Sequence, residues 1–220
     1  MILFCRLVHP FMHLSTNPIA QLMRRAAICL ALLSTAALTG CANFYVSNKL
    51  DHVEQQPVAK SAKTQPVQLF FQFETEDDLN LMTTHMVYDK VKEEVTQSGL
   101  FSEVRATGNQ DTATLQLSIN NVPLNNAVGR GFLVGATFGV AGTTVGDGYL
   151  CKLQYLPANT TAPITARTEH AIFTSMGLIH GRPVATAVSS ADIAIDRVIR
   201  QCVKKLLLDL SQTPEFTAAP

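Results

Sequence analysis

The sequence predicts an α+β fold in which a mostly antiparallel sheet carries two long amphipathic helices on one face. Three observations support this class: segments that alternate apolar and polar residues, two longer segments with apolar residues at helical spacing, and the order of these segments. The chain has 220 residues, 47% of them hydrophobic and 15% charged, which suits one globular domain with added apolar segments. We place the domain at residues 66–212.

The domain is predicted to begin with a strand and a helix. The strand PVQLFFQFET alternates polar residues with Val67, Leu69, Phe71 and Phe73. The helix lies in EDDLNLMTTHMVYDKVKEEVTQSGLF, and its expected core-facing stripe is Leu79, Met82, Met86, Val87, Val91 and Val95. We expect the acids at 76–78 to lie at the positive N-terminal end of the helix, and Gly99 to end it.

Three further strands and a second helix follow. The strands are predicted in ATLQLSINNV, YLCKLQYL and ITARTEHAIFTS, with FSEVRAT as a short edge strand and His170 facing inward. The second helix is predicted between Pro183 and Pro214. Its apolar stripe is Val184, Val188, Ala191, Ile195, Val198, Ile199, Cys202, Leu206 and Leu210.

A glycine-rich segment, GRGFLVGATFGVAGTTVGDG at residues 129–148, holds seven of the 12 glycines. Its uncharged core spans about 24 Å as a helix, against about 30 Å of hydrocarbon. We therefore predict an apolar insertion rather than a membrane span. It forms either a helical hairpin packed on the domain or an exposed patch that contacts membrane or a partner through Phe132, Leu133, Val134 and Phe138.

The N-terminal region has the layout of a secretory signal. From Met23 the sequence MRRAAICLALLSTAALTGC has a basic start, a short apolar run and small residues before a cysteine. We assign residues 23–40 to the signal peptide and expect residues 1–22 to be a mis-called extension. Residues 41–65 are mostly polar and predict a flexible tether, and residues 213–220 predict a disordered tail.

Leu38-Thr39-Gly40-Cys41 resembles the lipobox of bacterial lipoproteins. The resemblance implies that Cys41 is acylated and becomes the first residue of the mature chain, so that the protein contacts the membrane through lipid. Several acyl chains together give a stable anchor. Ala42 rather than aspartate after the cysteine implies sorting to the outer membrane, with the domain facing the periplasm.

The mature chain from Cys41 has 14 basic and 17 acidic side chains, a net charge of about −3. No basic patch is left, so nucleic acid is not expected as a partner. Cys151 and Cys202 are the remaining pair of cysteines, and both are expected to face the interface between sheet and helix. Two readings stay open: a disulfide that closes a loop of about 50 residues and contributes roughly 3 to 4 kcal/mol, or two buried thiols.

The SGLFSEVRAT turn, followed by ATLQLSINNV, resembles small periplasmic lipoprotein domains related to the N-terminal α/β domain of TolB and to curli-channel-type lipoproteins. The resemblance covers roughly residues 66–211. It implies a role in envelope assembly, transport or cell-wall maintenance, and it carries over no catalytic residues. The glycine-rich insertion departs from the pattern of that family.

No catalytic, metal or cofactor site is predicted. The histidines of the mature chain, His52, His85, His170 and His180, lack metal-binding spacing, and the sequence has no G-x-S-x-G or phosphate-loop motif. The leading hypothesis is a non-enzymatic lipoprotein that binds an unidentified envelope partner. The alternatives are an oligomeric channel or secretion component that uses the glycine-rich segment, and a hydrolase of cell-wall or lipid substrates.

Overall fold

The computed structural model describes residues 42–59, 64–108, 112–124, 143–158, 160–176 and 185–217. The chain divides into two compact units, Met1–Gly40 and Cys41–Pro220, and every described residue belongs to the second. Several predictions lie outside the described residues and stay predictions. They are the extension and signal peptide in 1–40, acylation of Cys41, and the contact residues Phe132, Leu133, Val134 and Phe138.

The second unit is a mixed α+β structure built on an eight-stranded, mostly antiparallel sheet, as the sequence predicts. Among the described strands the order is β3-β2-β5-β6-β7-β1-β8, with β4 paired to β2, and only the β2–β5 and β2–β4 pairings are parallel. The strands are β1 Asn43–Ser47, β2 Pro66–Thr75, β3 Asp78–Leu79, β4 Glu103–Arg105, β5 Ala113–Pro123, β6 Thr143–Leu156, β7 Ile164–Met176 and β8 Ala185–Val188.

Helix α1 is Leu81–Gln97 and helix α2 is Ala191–Ser211. Each begins at a capping side chain, because Asn80 accepts a hydrogen bond from the Thr83 amide and Ser190 accepts one from the Ile193 amide. The helices contact each other and the sheet. A 3-10 helix, Asn48–Gln55, and a short helix α3, Pro214–Thr217, complete the described part of the unit.

The core lies between the sheet and the helices. The strand alternation found in the sequence matches the burial, since the predicted inward residues of β2, β5 and β6 are buried. These are Val67, Leu69, Phe71 and Phe73 in β2, Leu115, Leu117 and Ile119 in β5, and Tyr149, Cys151, Leu153 and Tyr155 in β6. Helix α1 contributes Val87, Val91 and Val95, and α2 contributes residues from Ala194 to Leu210.

The predicted tether is wrong for residues 43–55. This segment forms β1, which lies between β7 and β8, and then the 3-10 helix, which packs against α2. The side chains of Val46, Leu50 and Val53 are buried, and this burial stabilises the segment on the domain. Most residues of this segment are polar, but an apolar residue recurs at every third or fourth position, and these apolar residues are the buried ones.

Three other boundaries also differ from the prediction. Residues 143–148 of the glycine-rich segment belong to β6 rather than to an insertion, and residues 185–188 form β8 rather than the start of α2. Both segments pair with neighbouring strands, which satisfies their backbone hydrogen bonds. Residues 214–217 of the predicted tail form α3, which buries Phe216 against Phe101 and Tyr155.

Candidate functional site

The strand pairings bring several chain segments to one end of the sheet. The pairs that meet there are Asn43 with Ser175, Thr143 with Met176, Pro123 with Asp147, and Thr75 with Asn121. We call this end the Asn43 end. Cys41 lies two residues before Asn43, and Leu124 and Thr143, which flank residues 125–142, lie at the same end. The predicted acylation site and the apolar part of the glycine-rich segment therefore connect to the domain at one place.

Exposed apolar side chains lie at the Asn43 end beside the start of α1. Leu79 is 51% exposed, Leu81 62%, Met82 76% and Met86 73%, and we call these four residues the α1 patch. Large apolar residues that are exposed as a group mark contact surfaces more often than isolated ones do. The α1 patch is therefore the candidate docking surface.

The α1 patch corrects the predicted core stripe of the first helix. The sequence pattern placed Leu79, Met82 and Met86 on the core-facing side, and the structure exposes all three. Leu79 lies in the two-residue edge strand β3, so α1 begins only at Leu81. The buried face of α1 is formed by Val87 and the valines one and two turns after it, while Met82 and Met86 lie on the opposite side of the helix.

The acidic residues at 76–78 lie in a tight hairpin beside the α1 patch. Glu76 has φ 52° and Asp77 has φ 70°, which is the backbone of a two-residue turn between β2 and β3. The predicted position at the N-terminus of α1 is wrong, since the first turn of the helix contains no acid. All three carboxylates are exposed, and they form an acidic rim next to the apolar side chains.

Buried polar groups fix the hairpin in place. The Asn120 side chain, 3% exposed, accepts a hydrogen bond of 3.2 Å from the Asp77 amide and donates one of 2.7 Å to its carboxylate. The Glu76 amide donates to the Asn121 carbonyl at 2.8 Å. These bonds hold two residues in a left-handed conformation that non-glycine residues rarely adopt.

Thr84 joins α1 to the end of β2. Its hydroxyl accepts a hydrogen bond from the Phe73 amide at 2.9 Å and donates to the Asn80 carbonyl at 2.8 Å. The Asn80 amide also donates to the Phe73 carbonyl at 2.8 Å. The first turn of α1 is thus fixed to the sheet while its outer side chains stay exposed, and the α1 patch is ordered before any partner binds.

A second polar cluster connects the N-terminal segment to the core. The buried His170 ring donates from Nε2 to the side-chain Oε1 of Gln201 at 2.5 Å, and its Nδ1 accepts from the Ala171 amide at 2.9 Å. The Gln201 amide group donates to Glu54 at 2.7 Å and to Asp51 at 3.3 Å in the 3-10 helix. Burial lowers the pKa of His170, and the Gln201 hydrogen bond opposes this shift only in part.

The two remaining cysteines meet in the core. Cys151 on β6 and Cys202 on α2 are buried free thiols, and Cys202 is a side-chain hydrogen-bond partner of Cys151. Burial, with Cys202 next to it, raises the pKa of the Cys151 thiol well above its ordinary value. The disulfide stays a prediction, and the structure brings together the two side chains that it requires.

A groove of about 290 Å³ between the helices is the main alternative to the α1 patch. Its lining includes Glu94 and Lys204, together with residues 56–58 that follow the 3-10 helix. Burial raises the pKa of Glu94, although Arg200 and Lys204 act in the opposite direction. Ser98 in this lining donates its hydroxyl to the Val95 carbonyl at 2.6 Å and accepts a hydrogen bond from the Leu100 amide at 3.3 Å.

The described residues contain neither a metal-binding cluster nor a membrane-spanning helix. Within the ranges that the structure describes, no group of three or more His, Cys, Asp and Glu side chains is arranged to hold a metal ion. Among the same residues, no helix has the length and hydropathy required to cross a bilayer.

Comparison with known proteins shows only remote similarity. No protein-family model and no curated protein sequence matches the chain. The fold is similar to a PelC variant dodecamer from Paraburkholderia phytofirmans, with 9% identity and a TM-score of 0.36 over 80% of this chain and 99% of that one. It is also similar to a minor lipoprotein from Acinetobacter baumannii, with 13% identity and a TM-score of 0.32 over 71% and 92% of the two chains. Rare lipoprotein B from Shewanella oneidensis gives 12% identity and a TM-score of 0.25 over 69% and 90%.

Proposed function

We propose that this protein is a non-enzymatic lipoprotein of the bacterial envelope, anchored to the outer membrane by acylated Cys41 and facing the periplasm. It binds an envelope partner as an accessory in assembly or maintenance. The observation that carries the proposal is that three features lie at the same end of the sheet: the chain from Cys41, the flanks of residues 125–142 and the α1 patch.

The short connection between Cys41 and β1 limits how the domain can be oriented relative to the membrane. Asn43 begins β1, and two residues of extended chain reach at most about 7 Å. The 3-10 helix that follows β1 is fixed by burial of Leu50 and Val53 and by the hydrogen bonds of Gln201. Acyl chains on Cys41 would therefore hold the Asn43 end at the bilayer surface, with little freedom for the domain to move away.

The side chains exposed at the Asn43 end support a binding role. The α1 patch offers apolar area on an ordered helix, and the hairpin at 76–78 offers negative charge beside it. Both are features of a surface that recognises another macromolecule, since they supply contact area and charge specificity. Held near the bilayer, this surface meets partners that are themselves membrane-bound.

The anchor is tested by fractionation of cell envelopes. The full-length chain and its Cys41→Ser variant are expressed, and each is assayed in membrane and soluble fractions after a carbonate wash. We expect the unchanged chain in the outer-membrane fraction, with incorporation of labelled fatty acid. The Cys41→Ser variant should incorporate no label and should leave the outer membrane. Equal outer-membrane recovery of both chains would contradict the anchor.

A further inference from the structure

Resting on the proposed function, we propose that the α1 patch binds an apolar segment of a partner protein that is flanked by lysine or arginine. The four apolar side chains of the patch are exposed at the start of α1 and just before it, and the acidic hairpin at 76–78 directly precedes Leu79 in the chain. The expected partner segment therefore carries apolar side chains, which fit the patch, together with positive charge, which fits the acidic hairpin.

The apolar half of the surface suits a peptide segment. Leu81, Met82 and Met86 are more than half exposed, and burial of such side chains stabilises a complex by about 25 cal/mol per Å² of apolar area. Methionine side chains are flexible and polarizable, so they adapt to the shape of a bound side chain. Because Thr84 and Asn80 already fix this turn of the helix, binding orders little additional backbone.

The acidic side chains beside the patch determine which kind of partner it favours. Glu76, Asp77 and Asp78 are exposed in the hairpin, and Asp89 is exposed one turn beyond Met86. These carboxylates repel the anionic headgroups of a bilayer and attract lysine or arginine side chains. Charge complementarity therefore favours a basic protein segment over the lipid surface, although the Asn43 end lies close to the lipid.

The test uses a single fluorescent reporter. The chain contains no tryptophan, so Met82→Trp in the full-length chain creates one inside the α1 patch. Cys41→Ser is added, so that binding is measured without acyl chains and independently of the anchor. The probes are an amphipathic peptide of leucine and lysine, the same peptide with glutamate in place of lysine, and phosphatidylethanolamine/phosphatidylglycerol vesicles.

We expect the leucine–lysine peptide to produce a saturable blue shift and to bind at least tenfold more tightly than the leucine–glutamate peptide. Replacing Glu76 and Asp78 together by lysine should remove this preference, and Met86→Ser should weaken binding at least fivefold. Phe70→Ser is the control, because Phe70 is also an exposed apolar residue, at 47%, but lies on β2 outside the patch, and this change should leave peptide binding unaltered.

Three results would overturn the proposal: equal binding of both peptides, a blue shift produced by vesicles alone, or a concentration-dependent shift without any probe. The second result assigns the patch to the membrane, and the third assigns it to a second copy of this chain. None of the three affects the fractionation of Cys41→Ser, so failure of this inference is distinguishable from failure of the anchor.

Discussion

The buried side chain of Asn120 on β5 holds Asp77 in the hairpin between β2 and β3 through two hydrogen bonds, one to the backbone amide and one to the carboxylate. The two residues are 43 positions apart in the chain, so this contact exists only in the folded state. It keeps the acidic hairpin beside the α1 patch, and the proposed binding surface depends on it.

Asn120→Ala should destabilise the domain by about 1 to 2 kcal/mol, because it removes two hydrogen bonds from a strained turn. It should also weaken binding of the leucine–lysine peptide. Urea unfolding measures the first effect and the peptide titration the second. Gln116→Ala, at an exposed position of the same strand, is the control and should leave both unchanged. Unaltered stability in Asn120→Ala would show that the hairpin does not need this support.

Glu76→Asn should stabilise the domain by about 0.5 to 1 kcal/mol, since asparagine tolerates the left-handed backbone at φ 52° better than glutamate does. The same change removes a rim carboxylate, so peptide binding should weaken while stability increases. A thermal unfolding scan and the peptide titration measure the two effects in one sample. Loss of stability together with loss of binding would contradict this prediction.

His170 should make the stability of the fold depend on pH. Burial lowers its pKa, and protonation of Nδ1 would break the hydrogen bond from the Ala171 amide. Near the ring, Asp51 favours the charged form, whereas Arg197 and Lys49 oppose it. The unfolded chain therefore binds the proton more readily, and stability falls as pH drops below about 6.5.

The pH effect is measured by urea unfolding at pH 7.5 and pH 5 in the unchanged chain and in His170→Gln. The free energy of unfolding should fall less with acidification in His170→Gln, because position 170 no longer titrates. His85→Gln, at an exposed position on α1, should retain the dependence of the unchanged chain. An identical pH dependence in all three proteins would contradict the assignment to His170.

Cys151 and Cys202 should form a disulfide in the mature protein when a disulfide donor of the periplasm oxidises them. The two thiols lose two electrons and two protons, and the donor is reduced to a dithiol. A thiol count on the denatured, unreduced protein should find neither cysteine free, and prior reduction should expose both. The bridge should add about 3 to 4 kcal/mol to stability. Two titratable thiols without reduction would rule it out.

The strands could be predicted from the sequence because alternation is a local signal, and β2, β5, β6 and β7 all show it. β1 and β8 escape prediction because they are short and depend on pairing, since β1 pairs with both β7 and β8. The α1 patch was misassigned for a different reason. The predicted stripe joined residues from two sides of the helix, because Met82 and Met86 lie opposite the buried valines at 3.6 residues per turn.

The acidic hairpin also shows that a local sequence pattern does not reveal contacts between distant parts of the chain. Glu76, Asp77 and Asp78 were visible in the sequence as acids near a helix start. Their true position depends on Asn120, whose role no local pattern reveals. The meeting of segments at the Asn43 end likewise follows from strand register, which emerges only when all the pairings are known.

Energy transfer from the domain to the bilayer surface tests the central claim most directly. The acylated mature chain, which begins at Cys41, is placed in vesicles with dansyl-labelled phosphatidylethanolamine, and a single tryptophan is introduced by Met82→Trp or by Thr160→Trp. Thr160 lies beyond the far end of β6, a 14-residue strand about 43 Å long at roughly 3.3 Å per residue. We predict strong transfer from position 82 and weak transfer from position 160. Equal transfer from both positions, or stronger transfer from position 160, would contradict the claim that Cys41 holds the Asn43 end at the membrane.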